Sequence, residues 1–225
     1  MNVSEIGLVL FGDVVGSRRD SVGSAVWLPD LVAELDDVYV NERLASFAFT
    51  QGDELQGLLM PDADPLTAVL RAALGPGGRR MHWAIVRGEV HPDDQGDKRP
   101  ATQRVGPAFI EARHAIEAAR TAHDRLVILT GEAEVDVLLA DFAPALMEML
   151  DGLTVRQRAV ARLALIEDLR QSEVADRLHV RRATISVSFS RARIRPLQRL
   201  VDGIRRIYAS AGRPDGLLIV VRDGE

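Results

Sequence analysis

The chain has no cysteine, which excludes disulfides and thiolate metal sites. Aromatic residues are scarce, at 4 %. The two tryptophans, Trp27 and Trp83, therefore read as packing residues rather than a platform for stacked bases. The histidines at 82, 91, 114, 123 and 179 share no ligand spacing, so a histidine metal centre is not expected. Long hydrophobic runs are also missing. The most apolar stretch, Val135 to Leu150, is broken by Asp136, Asp141, Pro144 and Glu148, which does not suit a membrane span. The first residues show no basic segment followed by an apolar one, so no signal peptide is expected. No Gly-x-Ser-x-Gly, Walker loop or dinucleotide fingerprint occurs. These absences point to a soluble, cytoplasmic protein with no membrane partner.

What is present is charge, unevenly placed. The chain has 225 residues, 47 % of them hydrophobic, enough for two modest domains with real cores. Its net charge of −5 hides an asymmetry. Residues 1–150 carry 13 Lys and Arg against 24 Asp and Glu, whereas 151–206 carry 13 against 6. A basic module joined to an acidic one suits a nucleic-acid-binding domain attached to something that does not touch nucleic acid. Residues 207–225 form a tail with an apolar run from Gly216 to Val221 that could add a strand.

The basic module has helical periodicity. Val160, Leu163 and Ile166 recur on one face of a first helix. A short helix from about Gln171 to Leu178 follows, then a turn at His179-Val180-Arg181. A further helix begins near Arg182 and turns Ile185, Phe189 and Ala192 inward. Ala183, Thr184, Ser186, Val187, Ser190 and Arg191 are left outward, flanked by Arg181, Arg182 and Arg193. Small and hydroxyl side chains bordered by arginine suit a surface that enters the major groove of double-stranded DNA. The alternative is a helical hairpin used only for packing or dimerisation. The string LTVRQRAV, followed by QSEVADRLHVRRATIS, resembles region 4 of sigma-70-type factors and the related response-regulator domains. Two positions depart from that pattern: His179 stands where Gly is common, and Arg181 where Ser or Thr caps the helix.

The acidic module opens with an apolar strand, Ile6 to Phe11, ending in Gly12-Asp13-Val14-Val15-Gly16-Ser17. A carboxylate at a strand end followed by a small-residue turn can bind a divalent metal, while the turn's amides cradle phosphate. A helix is expected over about 29–44, with Leu31, Leu35 and Val38 inward, then a hairpin over 47–59 with Asp53 and Glu54 at its tip. Further on come a helix over 65–74, a strand from His82, a helix opened by Gly106-Pro107, a strand over 126–129, and a helix over 132–150 interrupted at Pro144. The order predicts an α+β fold, a mostly antiparallel sheet with packed helices, followed by an all-α helix–turn–helix domain. The bland alternative for Asp13 and Asp53 is that they only cap turns.

The strings LVLFGDVVGS, TQGDELQGLL, HWAIVRGEVHP and RVGPAFIEARHAIEAA resemble the palm-type domain of class III nucleotide cyclases. They are closer still to the SatD family of small bacterial proteins, many of which carry a C-terminal helix–turn–helix. The hairpin also resembles the diguanylate cyclase signature. The resemblance implies a ferredoxin-like palm, Asp13 and Asp53 as ligands of Mg2+ or Mn2+, and Val14, Val15, Gly16 and Ser17 as the phosphate-binding turn. The other cyclase positions do not match: the purine-reading pair falls on Phe49 and Gln103, the Asn on Ile110, and the transition-state Arg on His114, with Arg113 adjacent. Losing several charge-stabilising groups, each worth a few kcal/mol, should leave turnover negligible.

Three functions are therefore expected, in order: a DNA-binding transcriptional regulator whose palm senses a nucleotide or partner, a metal-dependent nucleotide enzyme, and a module docking to RNA polymerase. Regulators of this size commonly bind paired half-sites, which favours a homodimer.

Overall fold

The computed structural model describes residues 5–16, 21–50, 53–91 and 99–213. The elements are β1 (Glu5–Val14), α1 (Ser21–Val38), β2 (Arg43–Phe49), β3 (Glu54–Leu59), α2 (Leu66–Leu74), β4 (Met81–Val90), α3 (Pro107–Ala122) and β5 (Leu126–Leu129). After them come α4 (Ala133–Asp151), α5 (Val155–Leu165), α6 (Gln171–Arg177), α7 (Arg182–Arg191) and α8 (Ile194–Ser210). The sheet order is β2-β3-β1-β4-β5. All neighbours pair antiparallel except β4 and β5. The fold is thus α+β, with a mostly antiparallel sheet. Its first four strands run in the ferredoxin-like order, and β5 extends the sheet alongside β4.

β1 is central and buried on both sides, so its sequence is a continuous apolar run. Its alternate residues feed two cores. Leu8 and Leu10 pack with Leu31 and Leu35 of α1, Leu66 and Leu70 of α2, and Leu139 and Leu146 of α4. Val9 and Phe11 pack on the opposite face with Ala108, Phe109, Ala112 and Ile116 of α3. Phe11 meets Phe109 edge-on with centroids 6.1 Å apart.

Three sequence expectations are corrected. The helix expected over 29–44 runs from Ser21 to Val38, with Pro29 inside it, and Arg43 and Leu44 open β2 instead. Tyr39, not Val38, is the buried residue at its end. Asp36 then fixes the turn into β2, pairing with Arg43 at 2.8 Å and accepting the Phe47 N–H at 2.8 Å. Pro144 does not interrupt α4. The carbonyl it frees, on Ala140, lies on the exposed side, where water can satisfy it. Residues 207–210, assigned to the tail, belong to α8, and the apolar run 216–221 lies outside the described residues.

The basic module packs directly onto the palm. α8 buries Ile194, Leu197, Val201, Ile204, Ile207 and Tyr208, and its apolar face joins the core shared with α4. Polar contacts fix the seam. Arg205 grips Asp64 through Nε at 3.1 Å and Nη2 at 2.7 Å. The Tyr208 hydroxyl donates to the Pro61 carbonyl at 2.6 Å, and Arg87 of β4 donates to the Ala211 carbonyl at 2.9 Å. Among the described residues no helix is long and apolar enough to cross a membrane.

Candidate functional site

Two places hold the residues singled out by the sequence. The first is the end of β1. Asp13 and Glu54 are cross-strand partners, which brings Asp53 and its neighbour beside Asp13, as the hairpin reading anticipated. Asp13 is only 8 % exposed. Burial pushes its carboxyl above the usual carboxylate range, the charge of Asp53 pushes the same way, and the Arg120 guanidinium opposes both. Arg120 reaches over from α3 to pair with Asp13. Arg113, two turns earlier on α3, pairs with Glu54 at 3.2 Å and lies 5.3 Å above the Phe11 ring. Two arginines of one helix thus neutralise two acids at the ends of adjacent strands.

This arrangement bears on the metal and phosphate expectations. The Arg120 guanidinium already supplies the positive charge beside Asp13, so an incoming Mg2+ or Mn2+ would have to displace it. Among the described residues no cluster of three His, Asp or Glu side chains is arranged to hold an ion. As placed, the donors do not fit a resident divalent ion. In the turn expected to bind phosphate, the Val14 N–H donates to the Asp53 carbonyl at 3.3 Å and the Val15 N–H to the Arg80 carbonyl at 2.9 Å. Both amides are spent on backbone partners. Gly16 is exposed with φ of 74°, and Ser17 lies outside the described residues, as do Gln51 and Gly52 of the hairpin turn.

Beside this end, between the sheet and α3, lies a cavity of about 490 Å3. Phe11, Val105, Phe109 and Ile110 give it apolar walls, Arg104 and Arg113 give it positive ones, and His91 and His114 also line it. Two of the cyclase-matched positions, Ile110 and His114, line it, whereas Phe49 and Gln103 do not. The wall at Val105 and Ile110 is apolar and open, these side chains being 60 % and 62 % exposed. Gly106 is required at the entrance to α3, since its φ is 151° and a Cβ would lie 2.8 Å from Val90 Cα.

The second place is the helix–turn–helix. Thr154 caps α5, its hydroxyl accepting the Gln157 N–H while Gln157 Oε1 accepts the Thr154 N–H at 2.8 Å. The LTVRQ string therefore encodes a capping box. Glu173 does part of the same for α6, taking the Arg170 N–H at 2.7 Å. The turn into α7 places His179 at φ 52°, the left-handed region that favours glycine. Glycine would suit this conformation better, so His179 carries a backbone cost here. α7 starts at Arg181 without a side-chain cap. Ile185 and Ala192 are buried and Phe189 half-buried, as the periodicity indicated. Arg181, Arg182, Ala183, Ser186, Val187, Ser190, Arg191 and Arg193 are exposed, and Thr184 is half-buried. α7 packs on α5, α6 and α8, which leaves this outward face clear.

No protein-family model matches the chain, and no curated protein matches it significantly. The functional reading therefore rests on these residues.

Sequence reasoning missed Arg120, Arg104 and Gln56. Gln56 is buried beside the cavity and donates to Glu54 at 2.6 Å. No local pattern marks these residues, because each meets the acids or the cavity only through the sheet or through α3.

Proposed function

We propose that the chain is a DNA-binding transcriptional regulator of the SatD type, in which a palm domain without turnover biases a helix–turn–helix module. The observation that carries this reading is the outward face of α7. Its side chains are small or hydroxyl-bearing, it is bordered by Arg181, Arg182, Arg191 and Arg193, and it is exposed among the described residues. A surface of this shape and charge meets base edges at its centre and phosphates at its rim. The palm cavity supports a ligand-sensing role, since it is concave, largely apolar and bounded by cationic groups. The Arg120–Asp13 pair and the unmatched cyclase positions support binding over catalysis. A homodimer on paired half-sites would have to pair through a surface other than the apolar face of α8, which the palm covers.

Replacing Arg182 and Arg191 with Ala tests the reading. Fluorescence anisotropy on the chain's own upstream DNA should show specific binding lost in the double variant, with the melting temperature unchanged because both side chains are exposed. Retained, sequence-selective binding would refute it.

A further inference from the structure

We propose that α8 carries a second DNA-contacting surface: a stripe of Arg195, Arg199 and Arg206 that tracks the phosphate backbone beyond the segment read by α7. The proposal rests on the DNA-binding reading and extends it to a helix outside the helix–turn–helix. All three arginines are exposed, while the opposite side of α8 is buried. At about 100° per residue, Arg199 lies roughly 40° and Arg206 roughly 20° around the helix from Arg195. The three form one narrow stripe, about 16 Å long. Backbone of that length spans about five base pairs at roughly 3.4 Å each.

The stripe is continuous with the reading face. A groove of about 450 Å3 lies where α6, α7 and α8 meet, lined by Gln171, Ser186, Ser190, Arg193 and Arg195 among others, with no acid. Ser186 and Ser190 belong to the outward face of α7, so a duplex seated there brings its phosphates to Arg193 and Arg195. Asp202 falls about 20° to the other side of Arg195, on the same face and between Arg199 and Arg206 along the helix, and Arg205 lies 3.9 Å from it. Arg205 itself is excluded from the stripe because Asp64 of the palm holds it. The same contact fixes the pitch of α8, so the stripe is presented rigidly. A polyanion with regularly spaced phosphates fits three arginines at helical spacing better than an acidic peptide does, and the common groove makes DNA the occupant.

The test compares wild type with Arg195→Ala/Arg199→Ala/Arg206→Ala, using anisotropy over a salt series on duplexes of two unrelated sequences. Each lost phosphate contact lowers the slope of log K against log salt by about 0.9. The triple variant should therefore lose about 2.7 in slope, so that the affinity drop between roughly 50 and 200 mM salt shrinks about forty-fold. Affinity should weaken equally on both sequences, and the corresponding triple Lys variant should restore the slope. An unchanged slope in the triple Ala variant, with wild type binding DNA, overturns the proposal alone. Wild type that binds neither duplex nor its own upstream DNA overturns the DNA reading and the stripe with it.

Discussion

Asp64 does two jobs, and separating them measures how firmly the helix–turn–helix module is attached to the sheet domain. Its carboxylate receives the Leu66 N–H at 3.0 Å and the Thr67 hydroxyl at 2.6 Å at the start of α2, while also gripping Arg205 of α8. Removing a cap costs about 1 kcal/mol. The ion pair is neither exposed nor deeply buried, with side chains 29 % and 35 % accessible. Its worth lies between the surface and buried extremes, about 1–2 kcal/mol, helped by the two-point geometry. Asp64→Ala should therefore cost about 2–3 kcal/mol in urea denaturation. Asp64→Asn keeps an oxygen for the cap and loses only the ion pair, so it should cost about 1–2 kcal/mol, as should Arg205→Ala. Combining Asn at 64 with Ala at 205 should cost little more than either alone, a coupling energy of about 1 kcal/mol or more. Coupling should shrink in high salt, because both partners reach solvent. Fully additive effects would show that the contact contributes no attachment energy, leaving apolar packing and the Tyr208–Pro61 and Arg87–Ala211 hydrogen bonds to hold the two modules.

Two further outcomes follow from backbone and burial. His179→Gly should stabilise the protein by about 1 kcal/mol in the same assay, since the left-handed conformation costs a side-chain-bearing residue about 1–2 kcal/mol; a loss of stability would mean that the His179 side chain makes a contact worth more than its strain. Asp13→Asn should raise the melting temperature at neutral pH. A carboxyl whose folded pKa lies above its unfolded value destabilises the fold wherever it is ionised, and that cost disappears as pH falls below the unfolded pKa near 4. The advantage of the variant should therefore be largest near pH 7 and shrink through the acid range; an Asn variant less stable than wild type at pH 7 would show that the Arg120 pair outweighs desolvation.

How much of this was legible from sequence depended on the range of the determining contact. The α5–α7 segment was readable because its apolar periodicity acts within about two turns of one helix, as between Ile185 and Ala192. The strand-and-helix order of the palm was readable because β1 is a continuous apolar run and Gly106-Pro107 marks a helix start. Pro29 misled, since proline suits a first helical turn yet here sits within α1. The site was legible only in outline. Asp13 and Asp53 were expected at the ends of adjacent strands, and the β1–β3 register sets Glu54 opposite Asp13 with Asp53 next to it. What neutralises Asp13 was invisible, because Arg120 arrives from a helix that only the sheet brings near. The Arg205–Asp64 contact joins residues 141 apart, and Arg205 read from sequence as one more arginine in a basic run.

That last residue changes the meaning of the basic run. Of its arginines, Arg195, Arg199 and Arg206 face solvent, whereas Arg205 faces an acid of the palm. One helix therefore presents two chemistries on different sides, apolar and paired toward α4 and Asp64, cationic and unburied away from them. A helix used in this way does not serve as a free dimerisation surface, because its apolar side is already consumed. It also makes the orientation of α7 a property of the whole chain. α7 packs on α8, α8 is fixed at Asp64, Pro61 and Arg87, and Arg87 lies on the same strand whose far end borders the cavity at His91. Any ligand that moves the end of β4 acts on a strand that holds the C-terminal end of α8.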